Sequence, residues 1–92
     1  MNMSFAPEAR PRLPRGVRLR KDAHRGWLLL APETVFAANG SAAEILELCD
    51  GARTFAELVD VLASRHGAER ARIMCEAGRL LGALHHKRLL DL

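Results

Sequence analysis

Residues 27–46 read Trp27-Leu28-Leu29-Leu30-Ala31-Pro32-Glu33-Thr34-Val35-Phe36-Ala37-Ala38-Asn39-Gly40-Ser41-Ala42-Ala43-Glu44-Ile45-Leu46. The run Trp27–Ala31 is continuously apolar, as in a central strand covered on both faces. Pro32-Glu33 breaks it, and Thr34–Ala37 can form a further strand that ends at Asn39-Gly40. Ser41-Ala42-Ala43-Glu44 then has the form of a capping box, and Ala42, Ile45, Leu46 and Cys49 follow at i, i+3, i+4 and i+7, one face of a helix. A strand, a tight turn, a strand and a helix within twenty residues indicate an antiparallel sheet that feeds directly into helices.

The flanking sequence extends the same pattern. Upstream, Val17-Arg18-Leu19-Arg20 alternates apolar and polar residues, a half-buried strand, and Asp22–Gly26 supplies a turn. Residues 1–16 hold Pro7, Pro11, Pro14 and Gly16 among arginines, which favours an extended arm ahead of a single domain at 17–92. Downstream, Gly51 offers a helix stop and Thr54-Phe55-Ala56-Glu57 a second capping box. Phe55, Leu58, Val59 and Leu62 line a second helix that Gly67 ends. A third helix runs from about Ala68 to His86. Leu89–Leu92 reads as a frayed helix end or a short strand. The expectation is an α+β, small winged-helix-like domain, a three-stranded antiparallel sheet followed by three helices.

The 92 residues suit one domain, and the 49% apolar and 27% charged fractions are those of a globular chain. The net charge of +3 is unevenly spread: residues 1–25 carry seven Lys/Arg against two carboxylates, and the remainder seven against nine. The basic field therefore belongs to the arm and first strand and favours an acidic partner. Two cysteines, Cys49 and Cys75, are too few for a disulfide framework and read as small buried hydrophobes in helical patterns. There is no secretory leader pattern and no run of the roughly 18 apolar residues needed to span a membrane. These features suggest a cytoplasmic protein with no membrane partner.

Catalytic and metal motifs are missing. The sequence has no glycine-rich phosphate loop, no nucleophile elbow and no CxxC pair. His85 and His86 diverge by about 100° on a helix, and His24 and His66 make no metal spacing with the cysteines. No catalytic, cofactor or metal residue is expected, and the chain reads as a binder and not an enzyme.

The third helix is apolar or small over roughly twice the arc that a surface helix needs. Ile73, Ala77, Leu80 and Leu84 form its main face. Nearly opposite lie Ala71, Cys75, Gly78 and Gly82, a stripe that either packs closely within the domain or forms a shallow groove. If the third strand is an edge, its unpaired N–H and C=O groups can receive an extended peptide, with the stripe giving room for it. A winged helix that binds nucleic acid is the alternative. Carboxylates among the helix arginines (Glu57, Asp60, Glu69, Glu76) and an aromatic share of only 4% disfavour it.

Arg12-Leu13-Pro14-Arg15-Gly16-Val17-Arg18-Leu19, Arg25-Gly26-Trp27-Leu28-Leu29-Leu30-Ala31-Pro32-Glu33, Asn39, Ala43-Glu44-Ile45-Leu46 and Cys49-Asp50-Gly51-Ala52-Arg53-Thr54 together resemble the PqqD family. These are small accessory proteins of pyrroloquinoline quinone (PQQ) biosynthesis, and the likeness covers about residues 10–90. It implies a non-catalytic peptide-recognition domain that binds the ribosomal precursor PqqA and presents it to PqqE, a radical S-adenosylmethionine iron–sulfur enzyme. It implies no cofactor of the chain's own and no nucleic acid. On this reading the peptide lies along Val35, Phe36, Ala37 and Ala38, against Arg72, Cys75, Gly78, Arg79 and Gly82. Arg15, Arg18 and Asp50 are the expected contacts to the partner protein. The open edge or the arm could also pair two copies as a homodimer.

Overall fold

The computed structural model describes residues 6–92; the first five residues of the arm lie outside them. Three strands, β1 (Arg18–Asp22), β2 (Gly26–Ala31) and β3 (Thr34–Ala38), precede three helices, α1 (Gly40–Glu47), α2 (Phe55–His66) and α3 (Arg70–His86). The sheet is antiparallel in the order β1-β2-β3, so the apolar β2 is central. Leu29 stands opposite Leu19 and Phe36, and Leu28 opposite Arg20 and Ala37. With side chains alternating, Leu19, Trp27, Leu29, Ala31, Phe36 and Ala38 share the face that packs on the helices. Arg18, Arg20, Leu28, Leu30, Val35 and Ala37 share the other.

The core is built where the sheet meets the three helices. Leu29 and Ala38 pack there with Leu46, Phe55, Leu58, Val59, Leu62, Ala77, Leu81 and Leu84. No side-chain polar atom is buried without a partner among the described residues.

The helix boundaries follow local chemistry, with two departures from the expected pattern. α1 is capped by Asn39, whose Oδ1 accepts the Ala42 N–H at 2.8 Å. The capping box expected at Ser41 does not form, because the helix already starts at Gly40 and Glu44 is drawn to α2 instead. The second box forms as expected: Thr54 Oγ1 accepts the Glu57 N–H at 3.1 Å, and Glu57 Oε1 accepts the Thr54 N–H at 2.8 Å. Gly67 ends α2 in the left-handed region, φ 57°.

Gly51 does not stop α1, which ends at Glu47. It lies in the following loop at φ +78°, and a Cβ there would stand 3.3 Å from the Arg12 side chain. The chain needs glycine at this point because the N-terminal segment crosses directly over it.

That segment has turns at 7–8 and 15–16, so it is not extended throughout, and it is hydrogen-bonded to the domain. The carbonyls of Pro7, Ala9 and Pro11 accept the N–H groups of Ala56, Phe55 and Gly51. Arg12 and Asp91 exchange both backbone hydrogen bonds at 2.9 Å. The closing residues therefore form neither helix nor a full strand but a single antiparallel bridge. α3 turns into it through Arg88, at φ 62°, which lets the Leu89 N–H reach the Leu84 carbonyl at 2.8 Å. Leu89 and Leu90 are buried as a result.

Candidate functional site

β3 pairs only with β2, so its far side is an open edge among the described strands. Alternate residues of an edge strand point N–H and C=O outward, ready to pair with another chain. Val35 is 56% exposed, an unusual state for a large β-branched side chain, and Ala37 is exposed beside it. Phe36 is half-buried on the helix side, with the Lys87 ammonium 5.6 Å from the centre of its ring. Ala38 is buried in the core. Of the four expected β3 contacts, two thus offer side chains, while Phe36 is partly and Ala38 wholly committed to the fold. Asn39 starts α1 immediately after β3, which holds this edge to the helical layer.

The small stripe of α3 is divided. Gly78 is buried and Gly82 half-buried, whereas Ala71 and Cys75 are exposed. Gly78 is therefore covered, and a large side chain there would disturb the fold. Cys75 and Arg79 remain accessible, and Arg79 has no ion pair or hydrogen bond among the described residues. Arg72 is exposed, with its Nε 3.4 Å from Glu76 Oε2 one turn on.

Arg72 also lines a cleft of about 290 Å³ that the sequence did not reveal. Ser41, Glu44 and Ile45 of α1, Leu62 and His66 of α2, Ala68 of the following loop, and Ile73 and Glu76 of α3 form the rest of its wall. Glu44 sits at its rim, 2.7 Å from His66 Nε2 and 3.2 Å from Arg65. The hydrogen bond from His66 is the largest effect on the Glu44 carboxyl; with the Arg65 hydrogen bond and the two neighbouring charges it outweighs the opposing effect of burial and holds the group below its ordinary range. These partners lie more than twenty positions from Glu44, so no local pattern could announce them.

The expected partner contacts differ in character. Arg15 and Arg18 are exposed and have no ion pair among the described residues. Asp50 is engaged within the chain. Its Oδ1 accepts the Ala52 and Arg53 N–H groups at 2.9 and 3.0 Å, and its Oδ2 lies 3.1 Å from the Arg53 guanidinium. Those backbone N–H groups lower the Asp50 pKa, which marks its carboxylate as a turn-forming acceptor. Arg18 and Arg20 also border an open cleft of about 560 Å³ beside β1, with Leu13, Trp27, Leu46 and Cys49.

Among the described residues no three His, Cys, Asp or Glu side chains come together as a metal site. No helix there is long and apolar enough to cross a membrane.

Residues 26–90 match the model of the PqqD family, coenzyme PQQ synthesis protein D. A PqqA binding protein of Rhodopseudomonas palustris strain HaA2 is 43% identical over 90 residues, spanning 97% of this chain and 88% of its own. Among solved structures, the chain is similar to the PqqD truncation of Methylobacterium extorquens PqqCD. That solution structure is described as a functional, stand-alone recognition element for ribosomally synthesized and post-translationally modified peptides. The TM-score is 0.84 at 37% identity, covering 98% of this chain and 97% of the other. The crystal structure of PqqD from Xanthomonas campestris aligns with a TM-score of 0.62 at 34% identity, over 97% of this chain and 100% of the other.

Proposed function

The chain belongs to the PqqD family of coenzyme PQQ synthesis proteins, and from that premise we propose that it binds the PqqA precursor peptide along the open edge of β3 and presents it to PqqE. The observation that carries this reading is the edge itself: a strand paired on one side only among the described strands, with Val35 56% exposed. Backbone hydrogen bonds to the edge supply affinity, and alternate side chains supply selectivity. Val35 and Ala37 contact the peptide directly, Phe36 and Ala38 mainly through the backbone. On α3, Cys75 and Arg79 flank it, with Arg72 nearer the helix's start and the half-buried Gly82 keeping that flank shallow, while Gly78 packs within the domain. Arg79, lacking an internal partner, is available to an acidic side chain of the peptide.

The protein is an adaptor. It performs no chemistry, holds no cofactor and acts in the cytoplasm, where its two free thiols remain reduced. Arg15 and Arg18 meet PqqE, with Asp50 shaping the loop nearby. Without peptide, the same edge pairs two copies at high concentration, forming a weak homodimer.

The test is an amide-shift NMR titration with the cognate PqqA peptide. Shifts centred on residues 34–38 and 71–82 are expected, with none from duplex DNA. Arg79→Glu should weaken binding severalfold in a folded protein. Shifts confined to other surfaces, or none even with PqqE present, would sink the reading.

A further inference from the structure

α3 carries a line of side chains that the core only half covers. Ile73, Glu76, Leu80 and Lys87 stand at i, i+3, i+7 and i+14, on one side of the helix. Ile73 and Leu80 pack against the core cluster yet stay half-buried, and Glu76 and Lys87 are exposed. Both ends of this line are fixed in space. At the C-terminal end, the Lys87 ammonium lies 5.6 Å from the centre of the Phe36 ring, beside the middle of β3. At the N-terminal end, Ile73 and Glu76 face Ser41, Glu44 and Ile45 of α1 across the cleft of about 290 Å³. α3 therefore runs antiparallel to the chain as it passes from β3 into α1, and the open edge of β3 leads along α3 toward the cleft.

The spans match those of a short peptide. Between Ile73 and Lys87 the helix rises about 21 Å, at roughly 1.5 Å per residue. An added strand covers that length in about six residues, at roughly 3.3 Å each. Alternate side chains of such a strand turn to the helix side, where Leu80 lies midway and the cleft lies at the end.

The chemistry of the cleft limits what it can hold. Ile45, Leu62, Ala68 and Ile73 give it an apolar wall. The charged groups of that wall already have partners: Glu44 is bonded to His66 and Arg65, and Arg72 to Glu76. The cleft therefore offers no uncompensated charge to an ion. Its volume of about 290 Å³ lies at the lower limit of the roughly 300–1,000 Å³ of sites that enclose a small molecule. One large side chain suits it better than a free ligand does.

We propose that this cleft anchors one large apolar side chain of the bound peptide, leucine-sized or aromatic, just beyond the end of the β3 edge. This rests on the strand-addition reading above. Pairing along a backbone edge is nearly indifferent to sequence, whereas a side-chain pocket is not. The cleft thus selects among peptides that could all pair with β3. The Glu44–His66 contact ties α1 to α2 beside it and keeps its walls in place.

The experiment is a calorimetric titration with the cognate PqqA peptide and with its alanine variants at each large apolar position. Wild type is compared with Ile73→Trp and Ser41→Trp, which fill the cleft from its half-buried and its exposed wall. Amide spectra verify folding, and the Ser41 variant carries the test should tryptophan at 73 unfold the domain. Both filled proteins should lose at least tenfold in PqqA affinity, while shifts on residues 34–38 persist at saturating peptide. Ile73→Leu should stay within twofold of wild type. One alanine variant of the peptide should bind wild type at least tenfold more weakly but the filled proteins less than twofold more weakly, which couples that side chain to the cleft. Folded, filled variants that bind PqqA like wild type overturn the anchor and leave strand addition standing, as do alanine losses that are equal on wild type and filled protein. An absence of shifts on residues 34–38 with PqqA overturns strand addition and the anchor with it.

Discussion

Cys49 and Cys75 look equivalent in the sequence, each a small apolar residue in a helical pattern, yet the fold separates them. Cys49 lies just past α1, buried, with its thiol donating to the Ile45 carbonyl at 3.4 Å. Burial, helped by the neighbouring Asp50 charge, pushes its pKa up to about 12. Cys75 is exposed on α3. A thiol reagent at pH 8 should therefore modify one cysteine rapidly and the other only on unfolding, a contrast that mass spectrometry of timed samples will read. Bound PqqA should slow the reaction of Cys75 if the peptide lies beside it; an unchanged rate would move the peptide elsewhere. Glu44 gives a second prediction. Its pKa is lowered in the folded state, so its ionisation stabilises the fold above the ordinary value of 4.5 and that contribution is lost as pH falls through the lowered folded value. Asp50 and Glu57 act in the same sense, held by backbone N–H groups. Tm should fall between pH 5 and pH 3, and Glu44→Gln should flatten part of that slope.

Among the elements, α2 is the one whose limits were written most plainly. Both hydrogen bonds of its capping box form, and its last turn ends on a left-handed glycine. Thr54→Ala should cost about 1 kcal/mol, a fall of roughly 4–8 °C in Tm for a domain of this size. The same substitution at Ser41 should cost little, because Asn39 caps α1. The capping pattern at Ser41–Glu44 misleads because side-chain spacing cannot say which of several polar residues has extended backbone. Asn39 has it, at ψ 176°, because β3 delivers the chain in that conformation. In α3 the buried face is turned a little from the expected one: Ala77 and Leu84 are fully buried, but Ile73 and Leu80 are only half-buried, and Leu81, beside them, is the third fully buried residue. Nor could helical periodicity divide the small stripe, because burial of Gly78 and exposure of Cys75 depend on what lies over each turn of the helix.

At the scale of the whole molecule, the N-terminal segment and the C-terminal tail are joined. Five backbone hydrogen bonds tie Pro7, Ala9, Pro11 and Arg12 to the α1–α2 loop, the start of α2 and Asp91. Each contributes roughly 0.5–1.5 kcal/mol net, so a chain beginning at Leu13 should lose about 2 kcal/mol or more. Its Tm should drop by roughly 10 °C, measurable by thermal denaturation followed by circular dichroism; an unchanged Tm would mean that the segment adds nothing to the fold.

The sequence by itself determined the order of strands and helices, the central place of β2 and the stops at Pro32-Glu33 and Gly67. These rest on interactions within a few residues: alternation, helical periodicity, caps and turn conformations. It also offered Thr34–Ala37 as an edge strand, since it leads directly into a helix, and the structure makes that strand, one residue longer, the outer one of the sheet. The tertiary structure alone decided which residues of that edge are free, that Glu44 belongs to His66 and Arg65, and that Asp50 spends its carboxylate on a turn. It alone made Gly51 a crossing point for Arg12 and left Arg18 and Arg20 uncompensated beside an apolar face. Exposure and charge pairing depend on segments that are distant in the chain, and local pattern carries no record of them until the chain has folded.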